Sequence, residues 1–164
     1  MREPGKSPSF WDAFRDPRLA LMLGLGFSSG LPNPLTGSTM TAWLDTFDVD
    51  MATIGFFAWV HLPFNFKFVW APVMDRFSLP WGGRRRGWML LTQLVILVSV
   101  GVMGSFDPKA APWLVAGLAV WTAFFTASQD IAVDAFRTDL LPREERASGT
   151  AIFVAAYRGA LIVA

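Results

Sequence analysis

Five apolar stretches of membrane-span length, separated by short polar connections, organise the chain. They cover residues 17–44, 51–75, 87–106, 112–140 and 146–164. The hydrocarbon core of a bilayer takes about 20 helical residues at 1.5 Å each, so each stretch is long enough, or nearly so, to cross. The pattern predicts an all-α membrane protein, a polytopic transmembrane helix bundle. Residues 1–16 are polar and mixed in charge and form a cytoplasmic or interfacial N-terminus. Ser9 followed by Asp12 resembles a capping box, with Phe10, Trp11 and Phe14 on one side of a helix lying in the headgroup region. A disordered tail suits the same residues. A secretory signal is opposed by Glu3, Asp12 and Asp16 and by the spans that follow.

The connections carry the orientation. Of the fourteen Lys and Arg residues, eleven fall in segments on one side: Arg2, Lys6, Arg15, Arg18, Arg76, Arg84, Arg85, Arg86, Arg137, Arg143 and Arg146. Lys109 alone falls in the opposite loops, and the connection at 45–50 has three carboxylates and no cation. Basic residues in short loops stay on the cytoplasmic side, so the N-terminus is expected inside.

Polar residues interrupt four of the five spans. Pro32, Pro34, Gly30 and Gly37 stand among Ser28, Ser29, Asn33, Thr36, Ser38 and Thr39 in the first. Irregular backbone at this depth survives only against protein or a watery cavity. One reading is a bent, cavity-lining transporter helix; the other is close helix packing through Gly26 and Gly30. The second span holds His61, Asn65 and Lys67, with His61 and Asn65 one turn apart. Lys67 either faces a cavity or ion-pair partner or reaches part of the way to the surface, about 10 Å off by helix rise. His61 fits a packed, hydrogen-bonded role as well as a functional one. The third span is the plainest, with Gln93 its only strongly polar side chain.

In the fourth span Gln129 precedes Asp130, and Asp130, Asp134 and Arg137 are spaced four and three apart, one stripe on a helix. Neighbouring carboxylates resist double ionisation, which makes the pair a candidate proton carrier; a structural pair neutralised by Arg137 is the alternative. The fifth span carries Tyr157 and Arg158. Arg158 lies about twelve residues into an apolar helix and needs a carboxylate or an anionic ligand there. No cysteine and a single histidine exclude disulfides and argue against Cys- or His-based metal sites. No catalytic constellation or phosphate loop is present, so no enzyme activity, cofactor, metal or nucleic-acid partner is expected. A non-transporting membrane scaffold, its charges only pinning helices, remains open.

Ala71, Asp75 and Arg76, followed by Gly83, Arg84, Arg85 and Arg86, resemble the loop signature between helices 2 and 3 of the major facilitator superfamily. Ala71 stands where that pattern prefers Gly, and about four extra residues separate Arg76 from the Gly-Arg-Arg. The runs at 24–32, 67–76, 84–88 and 128–135 together resemble AmpG-type muropeptide permeases. Acetyl-coenzyme A transporters share part of these runs. The resemblance implies a carrier of the bacterial inner membrane that imports anhydro-muropeptides, with protons, for cell-wall recycling. Their place at membrane depth makes Lys67, Asp130, Asp134, Arg158, His61, Asn65, Gln129 and Tyr157 the candidate substrate and proton pathway, and the loop signature makes Asp75, Arg76, Arg84, Arg85 and Arg86 a candidate cytoplasmic gating loop. The resemblance also implies that residues 17–164 are an N-terminal half-bundle whose partner, the C-terminal half of the same carrier, is missing.

Overall fold

The computed structural model describes residues 16–32, 34, 37–47, 55, 57–80 and 83–163, and among these the structure is helical without strands. The side chains of residues 57, 58 and 84 are also outside the description. The interfacial N-terminus expected at 1–16 therefore lies outside it except for Asp16. So do Asn33, Thr36, the start of the second span and the Arg84 side chain.

Helix α1 runs Pro17–Gly30. Its start is built locally: the Asp16 carboxylate accepts from the Arg18 amide at 3.0 Å, and Pro17 occupies the first turn, where its missing N–H costs nothing. The helix stops before Pro32 and Pro34, and α2 (Ser38–Thr46) begins after Gly37. Among the described residues the stretch expected as one bent span is interrupted at Leu31 and again at Gly37. Leu31 is a bend, Pro32 and Pro34 are helical again, and residues 33, 35 and 36 lie outside the described residues. Proline withholds an N–H and its ring clashes with the preceding turn, which suits the interruption at Leu31.

Residues 57–76 depart further from one continuous helix. They form a 3-10 turn (Phe57–His61), α3 (Leu62–Phe66), a second 3-10 turn (Lys67–Val69) and α4 (Ala71–Arg76). Pro63 and Pro72 each sit in the first turn of α3 or α4, and each restarts the ladder. The connecting turns tighten to 3-10 geometry, as chains do at helix ends. The Trp70 carbonyl bridges the last break, accepting from the Val73 and Met74 amides at 3.0 and 3.2 Å.

Helices α5 (Gly83–Gly104), α6 (Pro112–Leu140) and α7 (Arg146–Val163) are regular. Gly83 opens α5 at φ 82°, a conformation that costs other residues energy. Arg85–Gly104 and Pro112–Leu140 are long and apolar enough to cross a membrane.

The chain divides into two compact units. One joins the described residues up to Leu31 to those from Asp134 onward. Its core is Leu19, Met22, Leu141 and Ile152, and α1 packs directly on α7. The turn leading into α7 is held by Arg146, whose guanidinium donates to the Thr138 and Leu141 carbonyls at 3.0 and 3.2 Å. Thr138 lies in the last turn of α6 and Leu141 just beyond it, where carbonyls lack helical partners of their own. The other unit, Pro32–Val133, is cored by Met40, Leu44, Val60, Met103, Val115, Ala119 and Ala123.

Candidate functional site

The polar residues of α6 do not share one fate. Thr122, Thr126 and Ser128 are buried, and each hydroxyl donates to the carbonyl four residues back, at 2.7, 2.9 and 2.8 Å. Such bonds hide a hydroxyl in an apolar setting without a second helix. Ser128 does more: its Oγ accepts from Trp70 Nε1 at 3.0 Å, while the Trp70 ring lies 4.7 Å from that of Phe124. The indole thereby ties the break before α4 to the middle of α6.

One position on, Gln129 is 5% exposed and donates its Nε2 to Gln93 Oε1 on α5 at 2.6 Å. Its own Oε1 is buried without a hydrogen-bond partner among the described residues. An unpaired buried acceptor is uncommon and costs roughly 1–3 kcal/mol. The seam is therefore a polar contact in apolar surroundings with one acceptor left over. The expected signature is asymmetric: Gln93→Leu alone lowers stability by roughly 1–3 kcal/mol because it strands the Gln129 amide. Gln93→Leu with Gln129→Leu recovers most of that. Thermal unfolding of the purified full-length protein in detergent, run as a double-mutant cycle, checks it.

The remaining expected residues differ in burial and in partners. Asp130 is half-buried beside this seam, and Asp134 is exposed. Asp134 accepts from Arg137 at 3.1 Å, and the Arg137 guanidinium lies 4.7 Å above the Phe153 ring. His61 and Asn65 are exposed, and Lys67 is half-buried in the second 3-10 turn. Tyr157 is half-buried, with its backbone carbonyl against Gly30, while Arg158 is exposed on α7. Neither Lys67 nor Arg158 pairs with a carboxylate among the described residues.

At the basic turn, Asp75 at the end of α4 forms an ion pair with Arg85 near the start of α5. Trp88 Nε1 donates to the Phe77 carbonyl at 2.9 Å and closes the same turn. Arg76 and Arg86 are exposed. With the Asp75 side chain half exposed, the pair contributes at most about 1 kcal/mol. Its value is geometric: it fixes how α5 leaves the turn.

The structure thus adds Trp70, Ser128 and Gln93 to the residues sequence reading singled out as a site. Gln93 had a signal, being the lone strongly polar side chain of its span. Trp70 and Ser128 lie inside the runs at 67–76 and 128–135 that carry the resemblance, but an indole and a hydroxyl in apolar helices do not announce that they bond to each other.

Comparison with known proteins gives these residues a family. The acetyl-coenzyme A transporter 1 family model matches residues 18–111, more than half of the chain. The chain belongs to the acetyl-coenzyme A transporter 1 family. It is 48% identical over 157 residues to the anhydromuropeptide permease of Escherichia coli K12, covering 96% of this chain and 32% of that protein. An uncharacterised protein of Haemophilus influenzae Rd is 40% identical over 133 residues, 81% of this chain and 31% of its own length. The putative transporter AmpG 1 of Rickettsia conorii is 29% identical over 151 residues, 90% of this chain and 36% of that protein. The chain spans about a third of the length of these relatives. The resemblance carried by the short motifs therefore extends over nearly all of it. Membership of a transporter family, together with two span-length helices, makes it a membrane protein.

Proposed function

We propose that the full-length protein is a proton-coupled secondary transporter that imports anhydro-muropeptides across the bacterial inner membrane for cell-wall recycling. The observation that carries this is the 48% identity, spread over 96% of the chain, to a protein named anhydromuropeptide permease. The matching family model bears the name of an acetyl-coenzyme A transporter, which keeps that anionic solute as the second reading.

In this reading the chain supplies five spans of the N-terminal half-bundle of a major-facilitator-like carrier, with its amino terminus and its basic turns in the cytoplasm. The rest of the protein supplies the opposing half, and the halves rock about a central site. Lys67 and Arg158 meet the carboxylates of the solute or of the other half. Of the pair Asp130 and Asp134, the half-buried Asp130 carries the proton, with Asp134 one turn away. His61, Asn65, Gln129 and Tyr157 line the pathway. Asp75, Arg76, Arg84, Arg85 and Arg86 set the cytoplasmic gate. The protein moves its solute without changing it chemically.

Uptake of labelled anhydro-muropeptide, by cells that lack their own permease and express the full-length gene, tests this. Accumulation that collapses with the proton gradient is the expected result. Acetyl-coenzyme A uptake instead would favour the second reading, and uptake of neither would end the transporter assignment.

A further inference from the structure

Helix α7 has two unlike faces. Gly149, Ile152, Phe153 and Ala160 are buried, and α1 presses Gly26 against the Phe153 carbonyl and Gly30 against that of Tyr157. Ala151, Val154, Ala155, Arg158, Leu161 and Ile162 are all exposed. At 100° per residue these six fall within an arc of about 120° opposite the buried face. Ile162 is 87% and Val154 42% exposed. Arg158 stands in the middle of this arc with no ion-pair partner among the described residues.

Lipid does not suit such a face. Arg158 lies twelve positions after Arg146, about 18 Å along the axis, and an arginine at that depth is costly against hydrocarbon. Helix α5 supplies the contrast. Its exposed row of Leu90, Leu94, Leu97 and Val98, with Gly101 among them, holds no charge, as suits lipid. The α7 face instead combines a cation with Ala151 and Ala155 one turn apart, a pattern that admits another helix at close range.

We infer that the exposed face of α7 is a docking surface for a helix from the part of the full-length protein outside residues 1–164, one that places an Asp or Glu opposite Arg158. Relatives about three times as long contain the chain needed to supply it. A carboxylate is the chemistry that covers an intramembrane guanidinium with least loss, since paired, hydrogen-bonded charges offset the desolvation that a lone one suffers. The inference rests on the membrane-spanning reading of α7 in the proposed carrier.

The test is photo-crosslinking of the full-length protein in its own membranes, with a diazirine amino acid in place of Val154 and, separately, of Leu97 on α5. The Val154 probe is expected to link to a peptide outside residues 1–164 that holds an Asp or Glu, and the Leu97 probe to lipid. Arg158→Ala should lower the Val154 yield by roughly threefold or more, and Arg158→Lys should lower it less, as expected for a buried charge pair. Links from Val154 to lipid alone, or only back to residues 1–164, would overturn the docking surface. A linked peptide without a carboxylate, an unchanged yield in Arg158→Ala, or suppression of the link by added anhydro-muropeptide would overturn the charge pairing. An intact link in a protein that takes up no muropeptide would sink the permease reading and leave this one standing.

Discussion

Gly30→Leu in the full-length protein is expected to abolish its accumulation in the membrane, and Gly30→Ala to lower its unfolding temperature clearly. A Cβ added at Gly30 would stand 2.6 Å from the Tyr157 carbonyl oxygen and 2.7 Å from the Ala160 Cβ. At Gly26 the same atom would run into the Phe153 carbonyl oxygen. These obstacles are backbone or backbone-bound atoms, so no side-chain rotation relieves the clash and the two helices must separate. Overpacking of this kind costs typically about 1–3 kcal/mol for the smallest change, and a leucine adds three more carbons to the same gap. Gly24 supplies the control. It lies on α1 with nothing within 4 Å of an added Cβ, so Gly24→Ala should be neutral or gain up to about 1 kcal/mol from helix propensity. Membrane levels by immunoblot and thermal melts in detergent give the comparison. Equal behaviour of the Gly24 and Gly30 variants would mean that α1 and α7 do not pack as described.

Asp130→Asn is expected to cut anhydro-muropeptide uptake by at least about tenfold, the factor that ~1.4 kcal/mol represents, with membrane levels unchanged. Asparagine keeps the shape of aspartate and removes only the titratable charge, so packing on α6 is preserved. Asp130 is half-buried and follows Gln129, whose Oε1 has no donor among the described residues. Asp134 is exposed and held by Arg137 at 3.1 Å, a structural arrangement, so Asp134→Asn should reduce uptake less. The ordering matters more than either value. Wild-type uptake by the Asp130 variant would remove that carboxylate from the mechanism, and an equal loss in both would return the pair to a shared role.

What could be read from residues alone follows from how local each feature is. The apolar runs behind α5 and the first half of α6 are long, so length and composition mark both helices. The break after Gly30 is legible because Pro32 and Pro34 act on their own neighbours. Pro63 and Pro72 also signal interruption, yet 51–75 was expected as one helix, because a hydrophobic run does not tell an α-turn from a 3-10 turn. The Gly26 and Gly30 pair announces close packing, but not that Phe153, Tyr157 and Ala160 of α7 receive it. The Gln93–Gln129 bond joins residues 36 positions apart, and the Trp70–Ser128 bond joins residues 58 apart. Such partners are set by how helices are brought together, which no window of sequence contains. Arg158 was recognisable as costly, while the side of α7 on which it stands needed the helix packed against α1.

Everything functional depends on the basic turns sharing one side of a bilayer. Reporter fusions in the full-length protein, one after Gly83 and one after Arg143, with a third at Lys109, measure that directly. A cytoplasmic reporter active at both Gly83 and Arg143, and a periplasmic one at Lys109, is the result the carrier requires. Gly83 and Arg143 on opposite faces would contradict it.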